Sequence, residues 1–258
     1  MIFKELYAYR EMIISLVRRD LVGKYKKSVL GFLWTFVEPL LQLMVYTFVF
    51  TVIMPMEDID NFYLHLFVAL IPWNFFASCI NGGCAAIIHQ QDMVKKIYFP
   101  REVLPIAYTT SQFVNMVFSF VVVFVVLLIS GIGVNPAALL WLVPVMLIQY
   151  MVCLGIVLFF SAVTVYLRDM QQILAVLSMA LMYAAPVIYS IDMVPEEMRD
   201  VYLLNPMASI IVSYRDILYY KTAPDGEVLG TAFMVGVVLL LIGYVAFAEL
   251  KRRFVEEL

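Results

Sequence analysis

Six long apolar runs constrain the fold of this chain more than any other feature of its sequence. They cover residues 29–54, 62–88, 104–130, 137–165, 173–191 and 228–250. About 20 apolar residues in a helix cross the ~30 Å hydrocarbon layer of a bilayer. The runs are continuous and do not alternate with a period of two, which argues against a membrane barrel. The sequence therefore predicts an all-α integral membrane protein with six transmembrane helices in one domain, residues 1–258.

Composition supports this assignment. Apolar residues make up 64% of the chain and charged residues only 14%, whereas soluble domains carry roughly 25% charged residues. The three cysteines, Cys79, Cys84 and Cys153, lie in apolar runs without the spacing of metal ligands. We interpret them as small buried hydrophobic residues and predict no metal site.

The distribution of positive charge predicts the orientation. Of the 17 Lys and Arg residues, 14 lie at the two termini or in the connections after the second and fourth runs. The other three are Arg199, Arg215 and Lys221. Because Lys and Arg near span ends stay on the inner side, both termini are predicted to be cytoplasmic.

Residues 1–28 are predicted to form an amphipathic helix. At about 100° per residue, six apolar residues share one face: Phe3, Leu6, Ile13, Ile14, Val17 and Leu21. Such a helix lies in the membrane interface with its apolar side towards the lipid. Packing against a partner protein is an alternative interpretation, and the two are compatible.

Two connections carry further predictions. Residues 89–103 form a basic loop, with a short helix that ends by Phe99 because Pro100 follows. Residues 192–227 are predicted to hold two short helices; the second is opened by Asn205–Pro206 and is rich in apolar residues. We expect these to dip into the outer leaflet as a re-entrant pair; an external hairpin on the surface is the alternative.

The second run contains polar and helix-weakening residues. These are Pro72, Asn74, Asn81 and the pair Gly82–Gly83. Such residues are tolerated within a membrane where neighbouring protein covers them. This span is therefore predicted to face other helices and to be kinked or broken.

The chemistry of an energy source is missing from the sequence. Gly23–Lys24 lacks the glycine and the Ser/Thr of a phosphate-binding loop. There are only two histidines, and no span holds a string of acids that could relay protons. Active transport by this chain would need energy from another subunit.

Several motifs together resemble the permease subunits of type-2 ABC exporters, in particular those for lipid-linked polysaccharides such as O-antigen, capsule or wall teichoic acid. The resemblance covers essentially the whole chain. It rests on Arg19-Asp20-Leu21, Lys24-Tyr25, Ser28-x-Leu30-Gly31-x-x-Trp34 with Pro39, Phe99-Pro100-Arg101-Glu102, Arg168-Asp169 and Asn205-Pro206.

The resemblance implies an assembly in a bacterial cytoplasmic membrane. Its expected partners are a second copy of the chain, two ABC ATPase subunits, membrane lipid and a polyprenyl-pyrophosphate-linked polymer, with no nucleic acid. No cofactor is expected in this chain, since ATP and Mg²⁺ would bind the ATPase. The ATPase would dock on the residues Arg18, Arg19, Asp92, Lys95, Lys96, Tyr98, Phe99 and Arg101. A solvated loop without a partner is the alternative for the last five.

The start of the first span is the predicted substrate entrance, formed by Lys24, Tyr25, Lys26, Lys27, Trp34 and Glu38. Lysines at a membrane surface suit a pyrophosphate group, although topology signalling and attraction to anionic lipid would also explain them. Glu38, an acid inside an apolar run, either lines the path or pairs with a basic residue as a structural group.

Aromatic residues are the predicted lining of the polymer path. They are Phe36, Tyr46 and Phe48 in the first span, with Tyr183 and Tyr189 in the fifth. Core packing or a place in the interface belt is the alternative for each. Two rival functions remain open: a type-2 ABC permease for drugs or small lipids, and an ATP-independent channel or scaffold.

Overall fold

A computed structural model describes residues 6–25, 28–53, 61–131 and 133–258, except the side chains of Lys24, Tyr25 and Val255. The described residues form helices joined by turns. In chain order the α-helices are α1 Arg10–Tyr25, α2 Trp34–Phe48, α3 Phe62–Gly83, α4 Gln91–Lys96, α5 Val103–Ile129, α6 Pro136–Leu139, α7 Leu142–Tyr166, α8 Met170–Tyr183, α9 Glu196–Leu203, α10 Pro206–Arg215, α11 Gly226–Leu250 and α12 Phe254–Glu257.

Within the described residues, five helical segments are long and apolar enough to cross a membrane. They are Gly31–Ile53, Phe62–Gly83, Val103–Ile129, Pro136–Tyr166 and Gly226–Arg253. The first includes a 3-10 turn before α2 and a π-helical turn after it. The chain is therefore an all-α membrane protein, and five of the six predicted spans correspond to helices of sufficient length.

The predicted fifth span, residues 173–191, is shorter than expected. Its helix α8 has 14 residues and ends at Tyr183, so it is about 21 Å long. Pro186 follows in a turn, and the residue before a proline is disfavoured in the helical region. The predicted span continues through that proline, whereas the helix ends before it at Tyr183.

Helix α3 is the centre of the bundle. It contacts α2, α5, α7, α8 and α10, and nearly all of its apolar side chains are buried. This confirms that the second span faces other helices. The helix ends at the predicted Gly82–Gly83 pair, where turns replace it up to residue 87.

Two apolar clusters hold the bundle together. The larger surrounds α3 and includes side chains from α5, α7, α10 and α11. The smaller lies at the end of the bundle that carries α4, which we call the loop end; the opposite end is called the hairpin end. In the smaller cluster, Leu16 of α1 and Phe99 pack with the start of α5 and the ends of α7 and α11.

Helices α7 and α11 approach closely because glycines face each other. A Cβ at Gly243 would overlap the Gly155 carbonyl oxygen, and a Cβ at Gly155 would lie 2.6 Å from the Leu239 carbonyl carbon. Small residues allow helix backbones to meet within a membrane, where packing drives association. These positions fix the last span against the fourth.

Helices α9 and α10 form a hairpin that reaches into the bundle. At its tip, Asn205 Nδ2 donates a hydrogen bond to the Ala184 carbonyl, 2.9 Å away, just after α8. At the other end of α10, Arg215 contacts the His65 carbonyl near the start of α3. The ten residues of α10 separate the tip from the Arg215 end by about 15 Å along the helix axis.

Candidate functional site

The first part of the predicted entrance lies at the end of α1. Lys26 and Lys27 lie outside the described residues, and only the backbone is described for Lys24 and Tyr25. Ser28 Oγ accepts a hydrogen bond from the Gly31 amide at 2.9 Å. This contact opens the helical segment of the first span, and the half-buried Trp34 follows one turn later.

Glu38 of α2 is exposed and lines a cavity of about 50 Å³ between α2, α3 and α5. Gln42, Asn74 and Gln112 also line it. Asn74 Nδ2 donates to Gln42 Oε1 at 2.8 Å and so joins α3 to α2. In the part of the chain that the structure describes, Glu38 makes no ion pair, and its carboxylate belongs to a polar cavity.

The two arginines assigned to ATPase contact lie on α1 in different settings. Arg18 is exposed beside an apolar groove of about 670 Å³. Arg19 pairs with Asp20, 3.1 Å away, and donates to Gln90 Oε1 at 3.2 Å. The Arg19 guanidinium therefore joins α1 to the loop after α3.

The predicted apolar face of α1 is divided between two surfaces. Ile13, Ile14, Val17 and Leu21 line the apolar groove. Leu16, which the sequence analysis did not place on that face, is buried in the smaller cluster. Helix α1 therefore packs on α5 and on the smaller cluster, against which Leu6, Ile13 and Val17 also lie, while Ile14 is exposed at the groove. Phe3 lies outside the described residues.

The loop from Asp92 to Arg101 presents some of its predicted contact residues and buries another. Lys96 pairs with Asp92 at 3.8 Å, and both are exposed, as is Lys95. Tyr98 is 97% exposed, whereas Phe99 is only 6% exposed and packs in the smaller cluster. The structure thus corrects the expectation that the Phe99 ring is available to a partner; Tyr98 presents the exposed ring.

Polar contacts fix this loop to the end of α11. Arg101 Nη1 donates to the Lys251 carbonyl, and Lys251 Nζ pairs with Glu102, which is buried. Tyr166 Oη, at the end of α7, donates to the Leu250 carbonyl at 2.7 Å. The sequence motif around Arg101 did not reveal these partners, because Lys251 is 149 residues from Glu102.

The predicted path aromatics are not gathered on one surface. Phe36 and Tyr46 are half-buried against the larger cluster, while Phe48 and Tyr183 are exposed. Tyr189 Oη donates to the Tyr183 carbonyl at 2.7 Å and lies 2.7 Å from Tyr202 Oη. Tyr189 therefore links α8 to the hairpin within this chain.

Arg215 is a buried site that sequence reasoning missed. Its guanidinium is 3% exposed and donates to three backbone carbonyls: His65 at 3.2 Å, Tyr189 at 2.9 Å and Val187 at 2.8 Å. The charge count placed Arg215 in an external segment and gave it no role. Its place in the apolar stretch after Asn205–Pro206 was the signal that could have identified it.

The described residues hold no group of three His, Cys, Asp or Glu side chains suited to a metal ion. All three cysteines are free and buried, as predicted. The site is thus made of polar contacts between apolar helices and a fixed loop at one end. This arrangement is that of a multi-pass membrane protein.

Comparison with known proteins identifies the family. Residues 11–219 match the model of the ABC-2 type transporter membrane family. The chain is 38% identical to the O-antigen export system permease protein RfbA of Myxococcus xanthus, over 99% of this chain and 98% of that protein. Another RfbA, from Klebsiella pneumoniae, is 31% identical over 95% of this chain and 94% of that protein.

A more distant relative has a capsule-related name. The capsule polysaccharide export inner-membrane protein CtrC of Neisseria meningitidis is 22% identical over 96% of this chain and 94% of that protein. The match of the family model to most of the chain and the identity to the two RfbA proteins agree. The chain belongs to the ABC-2 type transporter family.

Proposed function

We propose that this protein is the permease subunit of an ATP-driven exporter that moves a lipid-linked surface polysaccharide across the bacterial inner membrane. The observation that carries the proposal is the 38% identity to an O-antigen export permease across 99% of the chain. The relatives' names mention O-antigen and capsule polysaccharide. These names favour a polysaccharide over wall teichoic acid and over a drug or small lipid.

The orientation proposed here has both termini and the loop end in the cytoplasm. The 14 Lys and Arg residues at the termini and the two inner connections support this orientation. The α9–α10 hairpin then enters from the outer side. The contact of its tip residue Asn205 with the Ala184 carbonyl supports a re-entrant pair, and this pair would close the outer end of the path.

ATP would be hydrolysed on a separate subunit that docks at the loop end. Tyr98, Lys95 and Lys96 offer an exposed ring and two positive charges. Phe99 and Glu102 anchor this loop to the bundle, and Glu102 pairs with Lys251 at the end of α11. A force applied at Tyr98 would therefore reach α11 and, through Tyr166, α7.

A homodimer is proposed, with the exposed apolar faces of two helices as part of its contact surface. Helix α2 exposes Leu40, Leu41 and Met44, and α8 exposes Val176 and Met179. A second copy of the chain is the proposed occupant of part of this surface, with the polymer path between the copies. Phe48 and Tyr183 are the exposed aromatics on these helices.

The decisive experiment is deletion of the gene in its native host, with complementation by the wild-type gene. Loss of the surface polymer together with accumulation of lipid-linked polymer inside the cell is expected. Normal surface polymer in the deletion strain would exclude this function. Transport by the purified permease in liposomes without an ATPase would favour the channel hypothesis.

Docking at the loop is tested by Tyr98→Ala combined with Lys95→Glu. The ATPase is expected to be lost from the purified complex, because the exposed ring is removed and one positive charge is reversed. Met198→Ala, which removes an exposed apolar side chain at the hairpin end, is the matched control. Normal co-purification and coupled hydrolysis in the double variant would contradict the docking proposal.

A further inference from the structure

Two neighbouring cavities between α1, α2, α3 and α5 share part of their lining. The first is the cavity of about 50 Å³ beside Glu38. The second, of about 340 Å³, lies towards the loop end and is lined by Arg19, Asp20 and Gln90 among others. Gln112 and Asn115 of α5 line both. We call the combined space the polar crevice.

One face of α5 forms the wall of the crevice. Its polar residues are related by steps of three or four positions along the helix. They are Tyr108, Ser111, Gln112, Asn115 and Ser119. This spacing places them on a single helix face. From Tyr108 to Ser119 the face extends about 16 Å along the helix axis, so the crevice continues from the loop end well into the apolar bundle.

Helices α2 and α3 also contribute polar side chains to the crevice. Thr35, Glu38 and Gln42 lie on one face of α2, and Asn74 and Ser78 lie on α3. The Asn74–Gln42 hydrogen bond joins the two helices. Three apolar helices therefore turn polar faces towards one space.

Tyr108 is seated in the wall by a glycine. Its hydroxyl donates to the Ser78 carbonyl at 3.2 Å. A Cβ at Gly82 would overlap that hydroxyl, so Gly82 makes room for the phenol at the end of α3. The part of the crevice wall that contains the Tyr108 ring is thus built by α3 and α5 together.

The chemistry of the lining favours a neutral polyhydroxyl ligand over a phosphate. Arg19 is already paired with Asp20 and bonded to Gln90, and Glu38 adds a negative charge without an ion pair among the described residues. Amides, hydroxyls and carboxylates can donate to and accept from sugar hydroxyls, which do both. Polar groups at membrane depth are costly and are typically functional.

We propose that the polar crevice binds neutral sugar residues of the exported polymer at the inner entrance. This inference rests on the proposed function and adds a substrate contact within each protomer. The cavity nearer the loop end has a volume of about 340 Å³, which falls in the range of small-ligand sites.

Cysteine labelling tests the proposal directly. Asn115→Cys is made in a chain whose three buried cysteines are replaced by Ala or Ser, and inside-out vesicles receive a charged, membrane-impermeant thiol reagent. Vesicles come from cells that make the polymer and from cells blocked at its first synthetic step. Asn115→Cys is expected to be labelled in vesicles from the blocked cells. In vesicles from cells that make the polymer, labelling is expected to be about tenfold slower, as for a site occupied nine-tenths of the time.

Two further variants control this experiment. Gln172→Cys, at an exposed position at the loop end of α8, is expected to label equally in both vesicle types. Gln112→Cys repeats the measurement if Asn115→Cys does not accumulate, because Gln112 lines both cavities. Accumulation in the membrane at the wild-type level and an unchanged elution volume in detergent establish that each variant is folded.

The outcomes separate the proposal from its rivals. No labelling in either vesicle type would mean that the crevice is closed to water, and equal labelling would mean that it holds water alone; both overturn the inference. If gene deletion leaves surface polymer normal, the proposed function fails instead. If gene deletion abolishes the surface polymer but the labelling rate of Asn115→Cys is the same with and without polymer, only the crevice inference fails.

Discussion

Helices α2 and α3 are neighbouring apolar spans with opposite surroundings. In the apolar part of α3, 78% of the residues are buried; in the apolar part of the segment that contains α2, only 6% are buried. Helix α3 is covered by five other helices. Helix α2 exposes Leu40, Leu41, Met44 and Phe48.

The polar content of the two helices explains the difference. Asn74 and Asn81 of α3 bond to Gln42 of α2 and Ser178 of α8, and His65 is fully buried. Such groups need protein around them within a membrane. The exposed face of α2 is apolar and suits lipid or a second copy of the chain. Substitutions in α3 should therefore affect folding, whereas those on the exposed face of α2 should affect assembly or export.

The largest effect is expected where the hairpin is fastened to α3. Arg215→Met leaves three buried carbonyls without their donor, and each such loss costs about 1–3 kcal/mol. We expect little folded protein, and faster proteolysis between α8 and α10 in what remains. Arg252→Gln, which breaks only an exposed pair with Glu249, is the control. Equal accumulation and protease resistance of the two variants would show that Arg215 does not hold the hairpin.

A smaller but clear effect is expected from removing a phenylalanine from each span. Phe67→Ala in α3 should cost about 3–5 kcal/mol, because the ring is 1% exposed in the larger cluster. Phe48→Ala in α2, where the ring is 56% exposed, should leave stability nearly unchanged and reduce export. Thermal unfolding in one detergent measures the first result and surface polymer the second. Similar melting temperatures would remove the contrast between the helices.

The same contrast shows what sequence could predict. Apolar runs identified the five long helices, and the polar residues of the second run correctly placed α3 inside the bundle. The charge count could not find the role of Arg215, because its three carbonyl partners belong to two distant segments. Likewise, the polar crevice depends on the pairing of α2, α3 and α5, and single residues such as Gln112 carry no signal of it. The burial of Phe99 follows from cluster packing that a motif does not encode.

The smallest effect concerns the hydrogen bond that joins the two helices. Side-chain bonds between helices in membranes are worth about 0.6 kcal/mol on average and up to about 1.7. In a double-mutant cycle, Asn74→Leu and Gln42→Leu should each lower the melting temperature, because each strands the partner's polar group. The combined variant should lose less than the sum, since replacing both partners by apolar groups is nearly neutral. Strict additivity would mean that α2 is positioned by other surfaces, such as its second copy, and not by this bond to α3.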